Sequence, residues 1–248
     1  MQKFGINTTL NYSPNFDLKK RNSKQIKFII FHYTGMKREK DAINRLTNIN
    51  SKVSSHYLIK KNGEILTLVP ELYNAWHAGI SKWQNLNFIN KYSLGIEISN
   101  PGHEHKYKNY SKKQIQAILK LSLYLIKKYK IKKKFILGHS DISPERKKDP
   151  GEKFPWEYLA KKKIGYWHGL NKNEIIKQRN INITELEIKK FTKNLIKIGY
   201  LRSNDIKNRN NVGLVIKAFQ RRFRPSLING KIDKECFIIS LNLAKILK

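Results

Sequence analysis

Hydrophobic and polar positions divide this chain into two kinds of territory. Residues 26–31, IKFIIF, are an apolar, β-rich run that predicts a buried strand. Residues 54–60 and 64–69 are apolar runs flanking Lys61-Asn62-Gly63. Asn-Gly between two such runs predicts a hairpin. In 93–99, SLGIEIS, Leu94, Ile96 and Ile98 alternate with Gly95, Glu97 and Ser99, a strand with one apolar face. Residues 134–137 predict another short strand ending at Gly138. Between the strands lie helical stripes. Ala42, Ile43, Leu46 and Ile49 mark a helix in 39–50. Ile115, Ile118, Leu119, Ser122, Leu125 and Ile126 mark one in 111–130, opened by a Ser111/Gln114 capping box. The fold class is therefore α/β, a central mixed sheet with helices on its faces.

After about residue 170 the strand pattern stops. Amphipathic helices are predicted over 184–198, 211–223 and 233–247, with Gly199 and Gly230 at stops. The expected organisation is a first unit over 1–170, a polar linker over 171–182 and a small three-helix unit over 183–248.

Composition adjusts this picture only a little. The chain has 248 residues, 40% hydrophobic and 11% aromatic, enough for a packed core. Lys and Arg total 51 against 18 Asp and Glu, a net charge of +33 that raises a nucleic-acid reading. Lys outnumbers Arg 41 to 10, although Arg reads phosphate better, and the charge is spread over both halves of the chain. Lys, Ile and Asn make up 99 residues and share A/T-rich codons, so codon bias accounts for the excess and no specific nucleic-acid partner is expected. One cysteine, Cys236, excludes an internal disulfide and any multi-cysteine zinc cluster. No apolar run of about 18 residues marks a transmembrane helix. Residues 1–20 contain no apolar segment of about 7–15 residues of the signal-peptide kind.

Candidate chemistry sits at the strand ends. His32 follows the strand FIIF, His139 follows FIL-Gly138, and Asp149 lies in a Pro-Gly loop ten residues on, which could turn its carboxylate back toward His139. Two His and one carboxylate leave a fourth tetrahedral position open, the catalytic kind of zinc site. Glu97 faces away from its strand's apolar side and suits a general base. Lys147, two residues before Asp149, could stabilise an oxyanion. Each residue has a plainer reading: core or surface histidines, a solvent-facing strand glutamate, one surface lysine among many.

The strings FIIFHYTG (28–35), SSHYLI (54–59), LVPE (68–71), AWHAG (75–79), SLGIEISN (93–100), GHSDISPERKKDPG (138–151) and FPW (154–156) occur in an order that resembles the zinc-dependent N-acetylmuramoyl-L-alanine amidases of the type 2 amidase family, related to peptidoglycan recognition proteins. The resemblance implies one Zn2+ per chain on His32, His139 and Asp149, with Glu97 as catalytic acid/base and Lys147 as oxyanion support. It implies hydrolysis of the amide between N-acetylmuramic acid, or its 1,6-anhydro form, and L-alanine of the stem peptide, in cell-wall turnover or recycling. Peptidoglycan or muropeptide fragments are then the partners. Trp76, His77 and Asn100 are expected substrate contacts. His56 is expected to be structural, His103, His105 and His168 to be surface residues, and Trp83, Tyr92 and Trp167 to pack. Residues 195–201 and 215–233 resemble a peptidoglycan-binding three-helix domain, which favours the cell envelope; the lack of a visible signal peptide keeps a cytoplasmic setting as the alternative. The rival function is a non-catalytic peptidoglycan recognition module, which would need neither Glu97 nor Lys147.

Overall fold

The protein is described here from a computed structural model covering residues 6–203 and 212–247. Its centre is a six-stranded sheet: β1 (Thr9–Leu10), β2 (Phe28–Tyr33), β3 (Tyr57–Ile59), β4 (Ile65–Thr67), β5 (Ser93–Ile98) and β6 (Ile136–Gly138). The spatial order is β1-β4-β3-β5-β2-β6. Only the β3–β4 pair, the Asn-Gly hairpin, is antiparallel; the other ladders are parallel, so the sheet is mixed. Among the described residues, eight α-helices accompany it: α1 (Glu39–Thr47), α2 (Lys112–Tyr129), α3 (His139–Ile142), α4 (Trp156–Lys161), α5 (Lys172–Ile176), α6 (Glu185–Ile198), α7 (Val212–Phe223) and α8 (Lys234–Ile246). The predicted capping box opens α2: Ser111 Oγ accepts the Gln114 N–H, and the Gln114 side chain accepts the Ser111 N–H.

Register explains the layering. Paired residues in a parallel ladder point to one face, and neighbours along a strand alternate. Ile29, Phe31, Leu94, Ile96 and Ile98 face α2 and α4, packing on Ile118, Leu121, Leu125, Trp156 and Leu159. Phe28, Ile30 and Leu137 point the other way, into a second core. That second core also holds Phe191, Leu195, Ile198, Val215, Phe219, Phe223, Phe237 and Leu243 from α6, α7 and α8.

The C-terminal helices therefore share one core with the sheet, which corrects the expected picture of a separate small unit on a linker. Residues 171–182 are likewise not a free tether. They form α5, bury Ile175 in the same core, and fix Arg179 to both carboxylate oxygens of Glu235 at 2.7 and 2.9 Å. The physical reason is that β2 and β6 are apolar on both faces, and the second face needs a cover. Residue 211, the expected start of the middle C-terminal helix, lies outside the described residues. No helix among the described residues is long and apolar enough to cross a membrane.

Candidate active site

The same register assembles the site. His32 and Glu97 are direct partners on β2 and β5, and His139 immediately follows β6, whose Gly138 is level with Phe31. Strand order thus lines up His139, His32 and Glu97 at the carboxyl ends of three adjacent parallel strands. Asp149 comes in from its loop. Its carbonyl accepts the Ser140 N–H at 2.8 Å, and the next carbonyl, of Pro150, accepts the hydroxyls of Tyr107 (2.6 Å) and Tyr110 (2.7 Å). Three donor atoms converge: His32 Nδ1 to His139 Nδ1 is 2.9 Å, His32 Nδ1 to Asp149 Oδ2 is 3.0 Å, and His139 Nδ1 to Asp149 Oδ2 is 3.1 Å. All three residues are buried.

The donor set fits a tetrahedral cation. With metal–ligand distances near 2.0–2.1 Å, ligand atoms in a tetrahedral zinc site lie about 3.3 Å apart, a few tenths wider than found here. His139 Nε2–H donates to the Ala78 carbonyl at 3.0 Å, so a neutral His139 has a bare Nδ1. Its lone pair faces the Asp149 oxygen with no hydrogen between them, a juxtaposition that a cation between the two resolves. Burial lowers the His32 pKa to about 4, helped by the charge on His139. Burial opposes ionisation of Asp149, but His139 and His32 outweigh it and hold the carboxyl well below its usual range.

The cluster floors a cavity of about 390 Å³ whose lining includes Tyr33, Arg45, Trp76, Glu97, Arg146 and Lys147. Glu97 is half-buried, and its Oε2 is enclosed without a hydrogen-bond partner. Burial raises its pKa to about 8, the charge of Asp149 pushes the same way, and Lys147 and Arg45 pull against them. A carboxylate tuned upward in a cavity has the character of a general base or acid. Lys147 is half-buried on the loop after α3, and its backbone N–H bonds the Ser143 carbonyl. That loop is held by Arg146, which donates to the carbonyls of Ala78 (3.2 Å) and Ile80 (2.6 Å). Sequence reasoning did not single out Arg146 or Arg45, because nothing local separates them from the other basic surface residues.

Trp76 stands at the cavity wall with its indole Nε1–H bonded to Asp17 Oδ1 at 2.8 Å. His77 also borders the cavity, but it is buried and both ring nitrogens have protein partners. Asn100 is not brought to the cavity. It is 2% exposed, its amide donates to the Lys108 carbonyl at 2.8 Å, and its Oδ1 accepts the Gly102 N–H at 3.1 Å, so it braces a loop. His56 is buried, with Nδ1 accepting the Gly95 N–H. Two expected surface histidines are not free. His103 contacts the Tyr33 hydroxyl and Glu152, each at 2.9 Å, and His168 is buried against the Phe223 carbonyl at 3.3 Å. Trp83 is core, and a Cβ at Gly199 would come within 2.6 Å of it.

The family described as N-acetylmuramoyl-L-alanine amidase matches residues 22–152. The chain is 36% identical to N-acetylmuramoyl-L-alanine amidase AmiD of Escherichia coli K12 over 224 residues, covering 85% of this chain and 79% of that protein. It is 32% identical to 1,6-anhydro-N-acetylmuramyl-L-alanine amidase AmpD of Haemophilus influenzae, over 60% of this chain and 88% of that one. Among solved structures, E. coli AmiD in complex with anhydro-N-acetylmuramic acid-L-Ala-D-γ-Glu-L-Lys superposes with a TM-score of 0.77 at 33% identity, covering 93% and 92% of the two chains. AmpDh3 from Pseudomonas aeruginosa in complex with anhydromuramic pentapeptide gives 0.76 at 26% identity, with 99% of both chains covered. Fold and matches make this chain a hydrolase of carbon–nitrogen amide bonds. It belongs to the N-acetylmuramoyl-L-alanine amidase family.

Proposed function

We propose that this chain hydrolyses the amide between N-acetylmuramic acid, or its 1,6-anhydro form, and L-alanine of the stem peptide, with one zinc ion held by His32, His139 and Asp149. The observation that carries this reading is the convergence of those three buried donors in the cavity where Glu97 has an enclosed, unpartnered carboxylate oxygen. When bound, zinc supplies Lewis-acid polarisation of the scissile carbonyl and makes water acidic enough to be a nucleophile near neutral pH. Glu97 takes a proton from the attacking water and returns one to the leaving amine of L-alanine. Lys147 places its ammonium where negative charge develops on the carbonyl oxygen. Trp76 offers an apolar face to the sugar or the peptide. A non-catalytic recognition module would need neither Glu97 nor Lys147.

The substrate assay uses purified sacculi and, separately, an anhydromuramyl-tripeptide, with products read by mass spectrometry with and without a chelator and zinc add-back. Zinc-dependent release of a peptide beginning at L-alanine is expected. Glu97→Gln should lower turnover by about 10²–10⁴-fold at unchanged zinc content. Failure of the zinc-loaded chain to cut either substrate would exclude the amidase reading. Cleavage of sacculi would favour action on polymer in the cell envelope, as the resemblance of residues 195–201 and 215–233 to a peptidoglycan-binding domain implies. Cleavage of the soluble fragment alone would favour cytoplasmic recycling.

Glu97 also gives a stability prediction. In the metal-free protein its pKa rises from 4.5 to about 8 on folding. Between those values the folded state binds a proton that the unfolded chain has released, so stability falls as pH rises through the window. Glu97→Gln removes this contribution. The chelated variant should therefore gain Tm relative to chelated wild type at pH 8 but not at pH 4. Equal differences at both pH values would show that Glu97 does not titrate in this way.

A further inference from the structure

We infer that Ser93, His77 and Gly95 fix the tautomer and aim of His32, making His77 a positioning residue. This rests on the metal reading of His32, His139 and Asp149. A backbone carbonyl can only accept a hydrogen bond. The Ile89 carbonyl receives the Ser93 hydroxyl at 2.7 Å. A hydroxyl has one proton, so toward His77 Nε2, at 3.0 Å, Ser93 Oγ can only accept. His77 therefore carries its proton on Nε2 and is bare at Nδ1. That Nδ1 lies 3.0 Å from His32 Nε2, which must donate to it. A neutral His32 is then bare at Nδ1, the atom that meets His139 Nδ1 and Asp149 Oδ2.

Every proton in the chain points away from the cluster and toward a backbone carbonyl. His139 follows the same rule in one step, through Nε2–H to Ala78. Ser93 and His32 are 0% and 1% exposed and His77 is 8% exposed, so bulk water does not offer a competing partner along the chain. Such outer partners orient a ligand ring and raise its basicity.

Gly95 makes the seat. A Cβ there would lie 2.4 Å from His77 Cγ and 2.7 Å from Cδ2, so the imidazole lies directly on the glycine backbone. Asn90 holds the loop from the other side, its Oδ1 accepting the Ala78 N–H at 2.8 Å. The Gly at 95 in SLGIEIS is thus a requirement for a histidine eighteen residues earlier. No local reading of the strand would reveal it.

The test uses the full chain with ¹⁵N-labelled histidine. Long-range ¹H–¹⁵N spectra of the metal-free protein report the tautomer of each imidazole. Expected are Nε2–H forms for His32, His77 and His139. Zinc affinity is then measured by competition with a chromophoric chelator. His77→Phe should weaken it about 10–100-fold, and Gly95→Ala should do the same by evicting the ring. Ser93→Ala, the mildest change, should weaken it about 10-fold and yield mixed His32 tautomers. It also serves if His77→Phe fails to fold. A wild-type His32 protonated at Nδ1, or a folded Ser93→Ala with unchanged affinity and a single His32 tautomer, would overturn the inference. If the wild type binds no zinc, the metal reading fails instead, and the metal-free spectra still judge the hydrogen-bond chain.

Discussion

Replacing Asp149 by alanine should abolish zinc retention and, with it, hydrolysis. Asp149 is 6% exposed and supplies the only carboxylate among the three convergent donors. Its removal leaves two neutral imidazoles, which hold Zn2+ far less firmly than a set carrying an anionic ligand. The loss in metal affinity should exceed the roughly 100-fold that changes in outer partners cause. Metal analysis after gel filtration reads the occupancy directly. A thermal series reads it independently: zinc at 100 times its Kd should stabilise the wild type by about 2.7 kcal/mol and leave Asp149→Ala unmoved. The variant should fold, because the main-chain bonds of its loop, Ser140 N–H to the 149 carbonyl and the two tyrosines to Pro150, do not use the lost carboxylate. Full zinc occupancy in Asp149→Ala would remove this residue from the ligand set.

The second large effect comes from the other side of His139. Arg222 on α7 is 2% exposed and donates to Asp141 Oδ2 at 2.6 Å and to the Ile136 carbonyl at 3.0 Å. Its guanidinium lies 4.1 Å over the Trp156 ring and 4.8 Å over Tyr166. Asp141, two residues after His139, also accepts the Tyr200 hydroxyl at 2.5 Å and the Gly138 N–H at 2.8 Å. Arg222→Ala strands a buried carboxylate and should cost about 3–5 kcal/mol. For a chain of this size that lowers Tm by on the order of 6–20 °C. The exposed Lys161–Glu157 pair is the control, since losing it should cost less than about 1 kcal/mol. Zinc affinity should fall together with stability in Arg222→Ala, because Asp141 shapes the turn that presents His139. If the C-terminal helices were an independent unit, affinity would stay at the wild-type value.

Much of the molecule was legible from local pattern. Leu94, Ile96 and Ile98 announced a strand, Lys61-Asn62-Gly63 a hairpin, and Ser111 with Gln114 a capped helix, because backbone preference and side-chain periodicity act over a few residues. His32, His139 and Asp149 were selected by their places at strand ends and in a Pro-Gly loop, and the fold brings these three together. Asn100 and His77 read differently in three dimensions. Both lie near the right motifs, yet Asn100 turns into its own loop and His77 turns inward to Ser93 and His32. Direction of a side chain at a strand end depends on what packs beside it, and that neighbour is distant in sequence.

By itself, then, the sequence determined the element types and the amidase family's motifs, because these rest on short-range patterns, and it singled out the candidate metal donors through the resemblance those motifs carry. Tertiary structure decided which histidine nitrogen faces the cluster, what seats His77, and whether the C-terminal helices stand apart. Those outcomes depend on strand register and on which apolar faces meet. Phe28, Ile30 and Leu137 could not stay open to water, and the core that encloses them also holds residues of α6, α7 and α8.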